Sequence, residues 1–234
     1  MKTLTGVKML KKITYAALAA AVFTQPVHAN EADVKRAVET RLGVQGAAVK
    51  KLPYAGLYEV VTEGQILYTD EGVNIFINGD LIDSKTAENL TQKKLFSVLP
   101  FDHAVKIVRG NGKRVIATFE DPNCGYCKRL AKDLQKMNDV TIYTFLYPVL
   151  SQDSLDKSRS IWCSTDRVKA WNDWMLNDVA PAAKGNCPTP IEKIMGLGAK
   201  MNIRGTPTIL LPNGMRMPGA VPVAEIEKAL AAVK

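Results

Sequence analysis

The sequence predicts a two-part protein of mixed α+β and α/β class. A small N-terminal α+β unit is joined by a linker helix to a larger C-terminal unit that carries a helical insertion. Three observations predict this. One amphipathic helical stretch and several short strand-like runs, punctuated by Glu63-Gly64, Glu71-Gly72 and Asn78-Gly79, fill residues 30–83. A Cys-x-x-Cys, Cys124-Gly125-Tyr126-Cys127, stands between an apolar β-branched run and a helix-like segment. Beyond it, strand and helix patterns alternate around a long helical stretch.

The chain opens on a targeting signature. Lys2, Lys8, Lys11 and Lys12 form a basic start, Ile13 to Phe23 an apolar stretch, and Val27-His28-Ala29 a small-residue cleavage pattern. Residues 1–29 are therefore expected to be a secretory signal peptide cleaved after Ala29. The apolar stretch is too short for a permanent membrane span. No later apolar run approaches the ~20 residues of a membrane helix, so the exported chain is expected to be soluble. With the four lysines of the leader gone, 27 Lys and Arg face 23 acidic residues, and the formal charge drops from +8 to +4. No basic stripe interleaved with aromatics remains, which argues against nucleic-acid binding. Export also implies an oxidising compartment, where disulfides persist.

In residues 30–83, Asn30 or Glu31 to Leu42 reads as an amphipathic helix with Val34, Ala37, Val38 and Leu42 inward, ended by Gly43. Strands are expected at Gly56 to Thr62, Gln65 to Thr69, Val73 to Asn78 and Leu81-Ile82. Val73, Ile75 and Ile77 alternate with Asn74, Phe76 and Asn78, the pattern of a half-buried strand. The unit has no cysteine, no histidine and no motif that carries chemistry, so a structural or association role is expected. Gln65 to Thr69, without Lys or Pro to blunt it, is expected to be an edge strand that pairs with a second copy. Residues 84–100 read as a tethering helix, with Thr91 as N-cap, Leu90 stapled onto Leu95, and Pro100 as the stop.

Residues 101–234 form the second unit. Val105 to Val108 and Lys113 to Phe119 flank Gly110-Asn111-Gly112, a hairpin signal. The motif helix follows, with Leu130, Leu134 and Met137 on one face. Thr141 to Leu146 is the next strand, and Ser154 to about Asn202 is helical, with Trp162, Trp171 and Trp174. Gly205-Thr206-Pro207 leads into Thr208 to Leu211, Asn213-Gly214 turns into Met215 to Met217, and Ala224 to Val233 closes the chain as a helix.

The motif points to thiol–disulfide exchange. A cysteine at a helix start sits where free backbone N–H groups and the helix dipole stabilise a thiolate, the nucleophilic form. Lys128 and Arg129 add positive charge nearby. The second cysteine, one turn inward, can attack the first sulfur and release a mixed disulfide. Half of a zinc site is disfavoured, because zinc ribbons use paired Cys-x-x-Cys knuckles while Cys163 and Cys187 lie far apart. His103 is the one histidine after the leader, which disfavours a Cys–His hydrolase. No metal, nucleotide or flavin site is visible, so no cofactor is expected.

Strand, Cys-x-x-Cys helix, strand, helical insert, Pro loop, hairpin and helix is the thioredoxin order. The chain resembles the DsbC/DsbG group of periplasmic thiol:disulfide isomerases. Phe119-Glu120-Asp121-Pro122-Asn123-Cys124-Gly125-Tyr126-Cys127, the pair Cys163 and Cys187, and Gly205-Thr206-Pro207-Thr208 carry the resemblance, and the Gly125-Tyr126 dipeptide points to its DsbC side. The resemblance implies a small N-terminal dimerisation domain over 30–83, a linker helix over 84–100, and a thioredoxin-like redox domain over 101–234. It implies that Cys124 attacks and Cys127 resolves, and that Thr206 and a cis Pro207 form a client-binding loop opposite them. Glu120 and Pro122-Asn123 depart from the family pattern and are expected to tune redox behaviour without changing the reaction class.

Cys163 and Cys187, read as free thiols, a second redox pair or a bridge, are expected to form a structural disulfide, which export favours. Asp121 is a candidate for moving protons to and from Cys127, against the simpler reading of a solvated acid beside a turn. The implied function is a homodimeric periplasmic isomerase or reductase that rearranges wrong disulfides in exported proteins, with chaperone activity beside it. An inner-membrane thiol reductase would supply electrons. The alternatives are a dithiol oxidase or dedicated reductase of the same fold, or a client-binding chaperone with secondary redox activity.

Overall fold

The computed structural model describes residues 30–54, 56–62 and 64–233. The leader and its cleavage after Ala29 lie outside the described residues.

Helix α1 spans Glu31–Leu42. Asn30 caps it, its side chain accepting the Asp33 N–H, and Gly43 ends it in the left-handed region at φ 65°. Val34 and Val38, one turn apart, bury against an antiparallel sheet of β1 (Ala48–Lys51), β2 (Tyr58–Thr62), β3 (Gln65–Thr69) and β4 (Phe76–Ile77). The sheet runs in chain order, β1-β2-β3-β4.

Several expectations for this unit change, among them the strand at Leu81-Ile82, where Ile82 makes only an isolated bridge to Asn89. Gln65–Thr69 is not an edge: it lies between β2 and β4, so the edges are β1 and β4. Strand β1 escaped the sequence reading, because Ala48-Val49-Lys50-Lys51 places a single large apolar side chain among lysines. The strand expected over 73–78 shrinks to Phe76–Ile77. Asp70 accounts for this: its carboxylate accepts the backbone N–H groups of Asn74 at 2.7 Å and Ile75 at 3.3 Å. The resulting turn puts Val73 at φ 52° and buries it, while Ile75 and Ile77 face outward.

Helix α2 spans Leu90–Ser97. Asn89, not Thr91, is its N-cap, accepting the Gln92 N–H. Thr91 is buried, its hydroxyl bonded to the Tyr68 hydroxyl and accepting the Leu81 N–H. Leu95 and Phe96 of α2 join Leu99 in one apolar cluster with Ile66 and Tyr68 of β3. The same cluster takes in Phe119 and Phe145 of the second sheet.

That sheet contains β5 (Val105–Arg109), β6 (Arg114–Glu120), β7 (Val140–Leu146), β8 (Thr208–Leu210) and β9 (Arg216–Pro218), in the order β5-β7-β6-β8-β9. Strands β6 and β7 are parallel, and the other pairs are antiparallel. The expected β5–β6 hairpin does not form, because β7 inserts between the two strands. Gly110-Asn111-Gly112 is still a tight turn, pinned by Asp139, whose side chain accepts the Asn111 N–H at 2.9 Å. Helices α3 (Gly125–Leu134), α4 (Gln152–Cys163), α5 (Arg167–Asn177), α6 (Ile191–Lys200) and α7 (Val223–Ala231) complete the chain.

Alternate residues of β6 serve different cores. Ile116 faces Leu130, Leu134, Trp171, Met175 and Ile226. Ala117 and Phe119 face the α2 side. Cys163, at the end of α4, is disulfide-bonded to Cys187, with Cα atoms 5.7 Å apart and 24 residues of sequence separation. Loop-closure entropy alone gives such a bridge about 3 kcal/mol of stabilisation.

Candidate active site

The strand-to-helix junction is built from the end of β6. Glu120 is its last residue, and Asp121 to Asn123 turn the chain into α3. Asp121 is fully buried and holds this turn. One oxygen accepts the Asn123 N–H at 2.8 Å and the other accepts the Leu150 N–H at 3.0 Å. The Trp174 indole donates to the Pro122 carbonyl at 2.6 Å, and the Asn123 amide donates to Asp153 at 2.6 Å. Thus α4 and α5, the helical insertion, fix the loop that aims the first cysteine.

Cys124 is the N-cap of α3. Its sulfur accepts the Cys127 N–H at 3.3 Å, one of the free donors of the helix start. Its thiol donates to the Thr206 carbonyl at 3.3 Å. The Thr206–Pro207 peptide is cis and lies against the motif. Beside this loop a cleft of about 250 Å3 is lined by residues from Asn202 to Thr208 with Arg216, Pro218 and Gly219. Gly125 has open space around it and Tyr126 is 66% exposed, so the motif's middle residues face outward.

The two thiols are not equivalent. Cys124 is 6% exposed and Cys127 is 0% exposed. Burial, followed by the charge of Glu120, pushes the Cys127 thiol far above its ordinary range. Lys128 has partners of its own. Its ammonium sits over the Trp174 ring, 4.1 Å from the centroid, and is ion-paired to Asp178.

Glu120 is the residue whose importance the sequence only hinted at. It is 1% exposed, inside the face of the sheet that packs on α3 and α5. One carboxylate oxygen accepts the Thr118 hydroxyl at 2.7 Å, and Thr118 is also bonded to Thr144. The other oxygen has no partner. Burial raises its pKa from 4.5 to about 7. The signal in the sequence was an acid ending an apolar strand four residues before the first cysteine. No group of metal-ligating side chains occurs among the described residues.

This junction coincides with two family matches. Residues 101–234 match the thioredoxin-like domain model, and residues 25–92 match the model of the disulfide bond isomerase protein N-terminal domain. A probable thiol:disulfide interchange protein DsbC from Bordetella parapertussis is 47% identical over 195 residues, covering 80% of this chain and 69% of the relative. The thiol:disulfide interchange protein DsbC of Salmonella typhimurium is 34% identical, covering 90% of this chain and 91% of the relative. A disulfide interchange protein from Neisseria gonorrhoeae, known from a crystal structure, is 40% identical with a TM-score of 0.55, over 57% of this chain and 96% of that one. With matches to both domain models and relatives of this identity along most of its length, the chain belongs to the DsbC family of thiol:disulfide interchange proteins.

Proposed function

We propose that the protein is a periplasmic disulfide isomerase and reductase that rearranges wrong disulfides in exported proteins. The observation that carries this reading is the asymmetry of the pair. Cys124 sits at a helix start with a backbone N–H on its sulfur, while Cys127 is sealed beneath it. The Cys124 thiolate attacks a client disulfide and forms a mixed disulfide. A second client thiol then resolves it, giving rearrangement, or Cys127 does, giving reduction. Loss of the Cys124 proton frees the Thr206 carbonyl, which then accepts a backbone N–H of an extended client beside Pro207. Exposed Tyr126 and the cleft next to Pro207 give the client further surface.

We take residues 1–29 as the export signal, 30–83 as the unit that joins two copies, 84–100 as the linker, and 101–234 as the redox unit. Reduced Cys124 is needed at the start of every cycle, so an inner-membrane thiol reductase is the natural electron donor. The edge that joins two copies is β4. It carries Ile77 and follows Ile75, both exposed, with no lysine among them, whereas β1 presents Lys50 and Lys51.

The test is the reactivation of a client with scrambled disulfides. The parent protein restores native pairing, Cys124→Ala is inactive, and Cys127→Ala keeps part of the rearrangement while losing net reduction. Full activity of Cys124→Ala overturns the reading.

A further inference from the structure

The cleft beside Pro207 carries charge of one sign. Arg204 and Arg216 are among the residues that line it, and no acidic residue is. Arg204 stands two residues before Thr206, whose carbonyl lies 3.3 Å from the Cys124 sulfur.

The two arginines are not equivalent. Arg216, on β9, is half-buried and its guanidinium is spent on the protein. Its Nη1 donates to the Met201 carbonyl at 2.8 Å and to the Asn202 carbonyl at 3.4 Å, and its Nη2 donates to the Gln92 side chain at 3.1 Å. Gln92 in turn donates to Asp80 at 2.9 Å, so an acid already stands near this charge. Arg204 is exposed, and only its Nε is engaged, donating to the Asn202 side chain at 2.8 Å. Among the described residues neither Nη group of Arg204 has a partner and no carboxylate pairs with it.

The backbone that carries Arg204 is held in place. Asn202 takes the left-handed region at φ 55°, which asparagine tolerates, and Arg216 grips its carbonyl. Ile203 is buried, and the Tyr147 hydroxyl donates to its carbonyl at 3.2 Å. Arg204 therefore leaves a fixed loop with the inner edge of its guanidinium tethered and the outer edge open. That outer edge presents two parallel N–H groups, the geometry that matches a carboxylate.

We propose that Arg204 selects clients with an acidic side chain about two or three residues from the cysteine under attack, a span of about 7 to 10 Å in an extended chain. The inference rests on the reading of Cys124 as the attacking thiol and of Thr206-Pro207 as the loop that pairs with the client. A client laid along Thr206 runs past Gly205 to Arg204, and the arginine side chain covers the remaining distance. Arg204 takes no part in the bond exchange. It favours the encounter that precedes it, and Arg216 and Asn202 keep its charge at the mouth of the cleft.

The experiment uses full-length reduced protein and short peptides whose single cysteine is joined by a disulfide to an aromatic thiol. The Cys124 sulfur bonds to the peptide sulfur, the peptide–aromatic S–S bond breaks, and the aromatic sulfur leaves with the electron pair as a coloured thiolate. The residue two positions before or after the peptide cysteine is Glu, Gln or Lys. For the parent at low ionic strength, the Glu peptide should react about fivefold faster than the Gln peptide at the position that meets Arg204, with the Lys peptide slowest. In about 1 M salt this ratio should shrink towards one. In Arg204→Gln the Glu-to-Gln ratio should fall to about one at low salt, and in Arg204→Glu the order should reverse, with the Lys peptide fastest. A parent that treats the three peptides alike at both positions overturns the proposal, as does a preference that persists undiminished in Arg204→Gln. If a variant fails to fold, the salt series of the parent decides, because a Glu preference that high salt leaves untouched overturns the proposal too. Release of colour from none of the peptides overturns instead the reading of Cys124.

Discussion

At the scale of single residues, the site is a set of unequal partners. Cys124 has a backbone N–H on its sulfur and a carbonyl to donate to, whereas Cys127 has burial and the charge of Glu120 against it. Glu120 itself makes a prediction about stability. Its folded pKa, about 7, lies above the ordinary 4.5. For a carboxyl the sign follows directly: between those values the unfolded chain gives up the proton while the folded chain keeps it. Stability therefore falls as pH rises through this window and levels off above it. The shift corresponds to about 3 kcal/mol. Denaturant titration should show Glu120→Gln gaining on the parent by about this much between pH ~5 and pH ~8. A difference independent of pH contradicts a raised Glu120 pKa.

At the scale of elements, the open question is which strand edge joins two copies. Strand β3 is enclosed by β2 and β4, which leaves β4 as the edge proposed for the contact. Ile77 is 42% exposed there, so Ile77→Lys adds a charge to the edge with little cost to the fold. Light scattering should report a dimer for the parent and a monomer for the variant, with helix content unchanged. A variant that remains dimeric contradicts the assignment to β4. The same elements show what was legible in the sequence. Helices α1 and α3 were, because caps such as Asn30 and Gly43 and the spacing of Leu130 and Leu134 are local signals, whereas the stretch from Ser154 to Asn202, read as helical throughout, divides into α4, α5 and α6. The Cys-x-x-Cys junction was legible for the same reason. Pairing partners were not. Gly110-Asn111-Gly112 makes its turn, but nothing local announces that β7 will enter between β5 and β6. Val73 to Asn78 has the alternation of a strand, and the side chain of Asp70 overrides it. Asp121 and Glu120 are adjacent acids in the sequence, and only the fold separates an anchor for a turn from a carboxyl with a free oxygen.

At the scale of the whole molecule, one strand connects the two units. Phe119 of β6 packs in the cluster shared with Ile66 and Tyr68 of the N-terminal sheet, while Thr118 and Glu120 face the redox core. A salt bridge from Lys94 of α2 to Glu59 of β2, 3.6 Å long, lies along the same seam. Gly64, at the β2–β3 turn, abuts α6 so closely that an added Cβ would lie 2.7 Å from Leu197. The linker helix is thus a wedge seated between two sheets rather than a free tether. The motif is correspondingly fixed: α4 and α5 hold its loop, and Thr206 lies across its first sulfur. Such a frame supports one central claim, that Cys124 alone forms the bond to the client and Cys127 acts only on Cys124. Mass spectrometry of covalent adducts with a disulfide-containing client tests it most directly. Cys127→Ala should accumulate an adduct on Cys124 that dithiothreitol releases, and Cys124→Ala should accumulate none. An adduct on Cys127 in the Cys124→Ala protein, at a yield matching the first, would contradict it.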